Sequence, residues 1–192
     1  MKPVSLTHED LYNIDIGRFA PYVPSKYLPF FFGEPGIAPY RLLAYLSTIF
    51  NNTTITEIGV HNGWGSLALS FNPTNHIVGY DIDLSSLSPA IKGLSPRLEF
   101  RTGLAHEVDP EGLLSSPLVH LDAQHDGIYE QVLFNFLVAR GYRGWLLLDD
   151  IHLNPQMEAF WRRITLSKHD LTSFGHNTGT GLVRFNEQVS HI

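Results

Sequence analysis

The sequence predicts an α/β fold, a mostly parallel seven-stranded sheet with helices on both faces and an antiparallel hairpin at its C-terminal end. Three observations carry that expectation. Short apolar runs recur at 55–58, 76–82, 98–101, 118–122 and 145–149, with segments between them that are spaced for helices. The first run empties into Gly59, Gly63 and Gly65 ahead of a helical stretch, Ser66 to Phe71. Polar residues then collect where the runs end, at Glu57, Asp81, Gly103, Asp122 and Asp149. Strands alternating with helices make a parallel sheet covered on both sides, and ligands of such sheets bind beyond the strands' carboxyl ends.

In chain order, residues 1–40 read as an N-terminal arm and 41–192 as the core of one domain, a size able to bury a substantial interior. Thr7 is placed to cap a short helix over Leu11 and Ile14, with Asp10 at its third position. Seven aromatic residues from Phe19 to Tyr40 then sit among Pro21, Pro24, Pro29, Pro35 and Pro39, a spacing that fits no regular element. Such an arm lies irregularly against something apolar, as a cover for the core, a lid over a pocket, or the interface of a homo-oligomer. From Arg41 a helical stripe of Leu42, Leu43, Tyr45, Leu46 and Ile49 runs to Asn51-Asn52. Tyr129, Val132, Leu133, Phe136 and Leu137 form a second helical face. Asn154 caps and Pro155 opens a third helix, with Met157, Phe160, Trp161 and Ile164 on one side. The tail from Leu171 to Phe185 reads as a hairpin turning through Asn177-Thr178-Gly179.

Composition narrows the partners. Net charge is −6 with no run of Lys or Arg, the wrong sign for nucleic acid or an anionic membrane. Cysteine is absent, which excludes disulfides, thiolate metal sites and thiol nucleophiles. No apolar signal core and no membrane-length stretch is present, so a cytoplasmic location and a small-molecule substrate are expected.

The glycine turn makes a nucleotide-type pocket: glycines permit positive φ and close approach, and the next helix presents free N–H groups. Glu57, Gly59, Gly63, Gly65 and Ser66 belong to it, with Gly103 and Asp122 on the same rim. Asp81, roughly 20 residues beyond the turn, suits the two hydroxyls of a ribose; its other role would be a cap for the segment at Ser85. No Gly-Lys-Ser/Thr follows, which disfavours a triphosphate. A Tyr-x-x-x-Lys pair, Tyr22 to Lys26, precedes the first strand and contains Pro24, so it is not a dehydrogenase's helical pair.

Asp122, Asp149 and Asp150 come from two neighbouring strand ends and would repel one another without a cation between them. Their oxygen atoms favour Mg²⁺, or Mn²⁺ or Ca²⁺. Strand neighbours face opposite ways, so both Asp149 and Asp150 reach one ion only if the chain has turned at Asp150; otherwise one of them caps the following loop. His125, three residues past Asp122, is a suitable general base. His152, His176 and Tyr22 are candidate substrate contacts, and His120, inside a strand, reads as a core histidine.

Taken together, these residues resemble the class I S-adenosylmethionine-dependent methyltransferases. Glu57-x-Gly59-x-x-x-Gly63-x-Gly65 is similar to their first motif, and Asp81 to the acidic residue after their second strand. Val119-His-Leu-Asp-Ala-Gln-His125 with Gly144-Trp-Leu-Leu-Leu-Asp-Asp-Ile151 resembles a narrower group, the metal-dependent small-molecule O-methyltransferases of the macrocin and mycinamicin type. The resemblance spans about residues 53–186. It implies a Rossmann-like core, S-adenosylmethionine contacts at Glu57, Gly59 and Asp81, Mg²⁺ ligands at Asp122, Asp149 and Asp150, and His125 as base. Catechol-type relatives carry lysine where His125 stands, and the Asp-Pro-Pro-Tyr motif of amino-methylating relatives is missing after the fourth strand.

Two other readings compete. His120-x-Asp122 with His176 and Arg184 matches the two-histidine, one-carboxylate pattern of Fe(II)/2-oxoglutarate oxygenases, which are built almost entirely of strands. A non-catalytic S-adenosylmethionine sensor or partner subunit is the other; the acidic pair and His125 argue against it, since a mere binder has no use for a metal at the transfer point.

Overall fold

In the computed structural model, residues 6–185 are described. The ends of the expected arm (1–5) and core (186–192) lie outside them. The arm is more regular than its composition suggests. Helix α1 (His8–Tyr12) opens with a capping box, the Thr7 side chain accepting from the Asp10 N–H while Asp10 accepts from that of Thr7. Two 3₁₀ turns, Gly17–Tyr22 and Ser25–Tyr27, lead into α2 (Leu28–Phe32). Prolines sit at the starts of these short turns or within them, where a missing N–H costs little.

Helix α3 (Ile37–Ile49) starts four residues ahead of the expected Arg41. Pro39 falls in its first turn, whose N–H groups have no acceptor in any helix. There follow β1 (Thr54–Ile58), α4 (Trp64–Leu69), β2 (His76–Asp81), α5 (Pro89–Lys92), β3 (Leu98–Thr102), α6 (Ala105–Val108) and α7 (Pro110–Ser115). The chain continues through β4 (Leu118–Leu121), α8 (Tyr129–Ala139), β5 (Trp145–Asp149), α9 (Pro155–Arg163), β6 (Lys168–Asp170) and β7 (Thr180–Arg184). Asn154 caps α9, accepting from the Met157 N–H at 2.9 Å, as its sequence position implies. The terminal hairpin is displaced from expectation: β6 precedes Leu171, because Lys-His-Asp carries no apolar signal and pairs through its backbone alone.

Among the described residues the strands form one sheet in the order β3-β2-β1-β4-β5-β7-β6. Pairs from β3 to β5 are parallel, while β7 runs antiparallel between β5 and β6. The expected mostly parallel seven-stranded sheet with an antiparallel hairpin is what forms. The order reverses between β1 and β4, where the crevice for a ligand opens. Period-two alternation divides the core: Trp145 and Leu147 of β5 join the cluster with the arm, α3 and α4, whereas Leu146 and Leu148 join that with α8 and α9.

The arm belongs to the first cluster. Phe31 is fully buried, stacked on Tyr40 at 4.2 Å between centroids and edge-on to Trp64. Tyr27 also meets Trp64, at 5.0 Å, and Arg18 lies over Phe71. Of the described helices, none is long and apolar enough to cross a membrane.

Candidate functional site

The end of β1 sets the geometry. Gly59 adopts φ +91°, and a Cβ there would collide with the Asp122 carbonyl, so the β1 and β4 ends meet only across a glycine. Two residues into the next helix, a Cβ at Gly65 would strike the Glu57 carboxylate. Glu57 is 1% exposed; it accepts from the Ser66 hydroxyl and lies 3.3 Å from His120 Nδ1. Burial pushes its carboxyl above the usual range. Ser66 and Gly63 therefore act from behind the cavity wall, the first holding Glu57 and the second, at φ +85°, turning the chain into α4. His120 is a satisfied core histidine.

Asp81 does more than face a ligand. One of its oxygens accepts the N–H groups of both Val60 and His61 at 2.9 Å, and the other that of Asp83 at 3.1 Å. It thus fixes the glycine turn from the neighbouring strand. Capping at Ser85 falls to Asp83 instead.

At the other side of the crevice, Asp150 adopts φ +59°, so the chain has already turned there and its carboxylate joins that of Asp149. The third member is His176, with Nδ1 2.9 Å from Asp150 Oδ1 and 3.7 Å from Asp149 Oδ1. Asp122 stands one step away and reaches the group through His125, whose Nε2 is 3.2 Å from Asp122 Oδ1 and Nδ1 3.6 Å from Asp150 Oδ2. Of the expected trio, Asp149 and Asp150 lie grouped with His176, and Asp122 stands beside them across His125. Antiparallel β7 carries its preceding loop back beside the end of β5, which brings in His176. Burial and then the Asp122 charge push the Asp149 carboxyl up to about 6. A hydrogen bond to Asp122 leads the causes that push His125 up to about 9. Although burial raises it, Asp150 is held below the ordinary range by His176 and Thr178.

The His125 loop is strained and clamped. Gln124 and His125 both have positive φ, 64° and 54°, a conformation that costs of order 1–3 kcal/mol per residue. Glu130 accepts from the His125 N–H at 2.9 Å, and Asn154 donates to its carbonyl at 2.8 Å.

These groups open on one cavity of about 550 Å³. Glu57, Gly59, Gly65, Asp81, Gly103, Asp122, His125, Asp149, Asp150 and His176 line it. Tyr22 and His152 do not: Tyr22 packs on the core within the arm, and His152 Nε2 is 2.8 Å from Asp170 Oδ2. His120 and His176 share the lining, yet His120 pairs with Glu57 and is not gathered with Asp122 and His176. That arrangement and the α/β sheet do not favour the oxygenase reading. Residues the sequence did not single out include Tyr40, His61, Trp64 and Tyr129. The Trp64 Nε1 and Tyr129 hydroxyl groups are buried without a hydrogen-bond partner among the described residues. The apolar stripe of α3 begins only at Leu42, so nothing in the sequence marks Tyr40 as part of the helix. Asn154 was legible as a cap but not as a clamp.

No family model and no curated protein matches this sequence. Solved structures do. SAH-bound methyltransferase PaMTH1 from Podospora anserina superposes with a TM-score of 0.60 at 15% identity, over 97% of this chain and 100% of that one. The O-methyltransferase TomG from Streptomyces achromogenes, in complex with SAM and involved in tomaymycin synthesis, gives 0.59 at 18% identity, over 93% and 99%. An SAH complex of the O-methyltransferase from Bacillus cereus gives 0.54 at 15% identity, over 94% and 91%. Likeness at such identities shows that this chain has the fold those methyltransferases share.

Proposed function

We propose that this chain is an S-adenosylmethionine-dependent O-methyltransferase acting on a hydroxyl of a small molecule with the help of a divalent cation. The carrying observation is that the glycine turn with Asp81 and the acidic group with His125 open on the same cavity at the switch point of the sheet. The shared fold of structures bound to SAM or SAH supports the cofactor.

The residues fit both groups. Trp64 and Tyr129 line the cavity, and among the described residues the Trp64 Nε1–H and the Tyr129 hydroxyl have no hydrogen-bond partner, so both are open to a ligand. Asp149, Asp150 and His176 offer donors within 4.8 Å of one another. When bound, the cofactor supplies an electrophilic methyl on a sulfonium, and the cation makes the acceptor hydroxyl more acidic. The chain does the rest. Asp81 and the turn orient the donor, the acidic group holds the acceptor end, and His125, in the neutral form it gains as pH rises toward about 9, takes the hydroxyl proton at a ring nitrogen.

The test is thermal stabilisation by S-adenosylmethionine, S-adenosylhomocysteine and NAD, each with Mg²⁺ and with EDTA, followed by transfer of labelled methyl to a panel of catechols and sugars. Stabilisation by the first two is expected. A shift with NAD alone would overturn the proposal, and cofactor binding with no methyl transfer to any acceptor would favour a non-catalytic binder.

A further inference from the structure

We infer that His176 is a cation ligand, and that Asp149, Asp150 and His176 form a mixed oxygen and nitrogen site selecting a transition-metal dication of the Mn²⁺ to Zn²⁺ series over Mg²⁺. The use of that cation in catalysis rests on the proposed methyl transfer; its binding does not.

The donor spacing carries the argument. Adjacent ligands around an ion with bonds near 2.1 Å stand about 3.0–3.4 Å apart in octahedral or tetrahedral sites. His176 Nδ1 lies 2.9 Å from Asp150 Oδ1 and 3.7 Å from Asp149 Oδ1, which brackets that range. Asp149 adds a second observation. Its side chain is 17% exposed, yet among the described residues its carboxylate has no hydrogen-bond donor, only the longer approach to His176. A half-buried carboxylate that faces the cavity with no donor, beside the Asp150 carboxylate, is stabilised when a cation meets it.

Such a histidine must also be held in place. The His176 N–H donates to Thr180 Oγ1 at 2.8 Å, and its carbonyl accepts from Gly179 at 3.0 Å. Backbone bonds from Ile151 to the Gly179 carbonyl and from His152 to that of Thr178 fasten the loop to the segment following Asp150. Thr178 donates to Asp150 beside the imidazole. All three donors therefore sit on two strand ends tied directly together. Mg²⁺ prefers oxygen and keeps its water, whereas imidazole suits later divalent ions, so a nitrogen in the set tips the choice.

Metal-stripped full chain titrated with MnCl₂ or MgCl₂ by calorimetry tests this. Wild type should bind Mn²⁺ about tenfold or more tightly than Mg²⁺, and His176→Ala and His176→Gln should each lose that margin. Electron spin echo modulation of bound Mn²⁺ should show an imidazole nitrogen in wild type and in His125→Ala but not in the His176 variants. Equal affinity for the two ions, a nitrogen signal that survives loss of His176, or no cation binding would each overturn the inference. S-adenosylhomocysteine stabilisation, measured in EDTA, separates the two claims. Stabilisation with unaltered Mn²⁺ binding in His176→Ala sinks this site alone, and cation binding through His176 without stabilisation sinks the methyltransferase reading alone.

Discussion

Asn154 uses both ends of its amide, its oxygen accepting from the Met157 N–H at 2.9 Å to start α9 and its nitrogen donating to the His125 carbonyl at 2.8 Å. A helix cap and the His125 loop thus share one side chain. Asn154→Ala should lose about 1 kcal/mol of capping, a fall of about 2–4 °C in Tm for a chain of this size. Asn154→Ser restores the cap but not the bond to His125. Calorimetry should therefore find it near wild-type stability, while turnover stays reduced; full turnover in the serine variant would show that the clamp does not position His125.

Gly65 tests the cofactor wall. In Gly65→Ala the new methyl displaces the Glu57 carboxylate from Ser66 and His120, so the thermal shift produced by S-adenosylhomocysteine should disappear. Gly93 has open space around its Cβ position and ordinary φ, and Gly93→Ala should keep the full shift.

His125→Ala and Asp149→Asn address chemistry rather than binding. Removing a positioned base typically costs 10²–10⁴ in rate, so turnover should fall by about a hundredfold or more while S-adenosylhomocysteine still stabilises both variants. Unchanged turnover in either variant would remove that residue from the mechanism.

Acid stability reports on β2 and the start of α7. Asp109 accepts from the Tyr80 hydroxyl at 2.6 Å and from Arg101, and these donors, Tyr80 foremost, hold its carboxyl below the ordinary 3.8. A folded-state value below the unfolded one stabilises the fold above that pH and ceases to as pH falls through the depressed value. Asp109→Asn should accordingly be less stable than wild type at neutral pH, with the gap in urea midpoints narrowing below about pH 3. A gap that persists in acid would assign the effect to packing.

The sheet was legible because buried parallel strands write themselves as apolar runs and the glycine turn marks where the first ends. Asp81, Asp122 and His125 were legible for the same reason, standing at run ends. Two adjacent strand residues reach one site only if the chain turns between them, and Asp150 at φ +59° makes that turn. The rest depended on contacts distant along the chain. His176 joins Asp150 across 26 residues, through an antiparallel strand whose partner, Lys-His-Asp, has no apolar pattern to announce it. Tyr22 and His152 looked polar and available, but only packing decides that one serves the core and the other Asp170. The aromatic arm hid its helical turns because proline and glycine interrupt any period, although proline is welcome in a first turn.

Phe31, wedged between Tyr40 and Trp64, bears on how the chain matures. The arm is synthesised before every segment it rests on, and its partners at Trp64 and Phe71 follow tens of residues later. Until they emerge, a run of exposed aromatic residues has nothing to cover it. The native arm is therefore covered only by segments made after it, and aromatic surface left uncovered in an incomplete chain is the kind that aggregates.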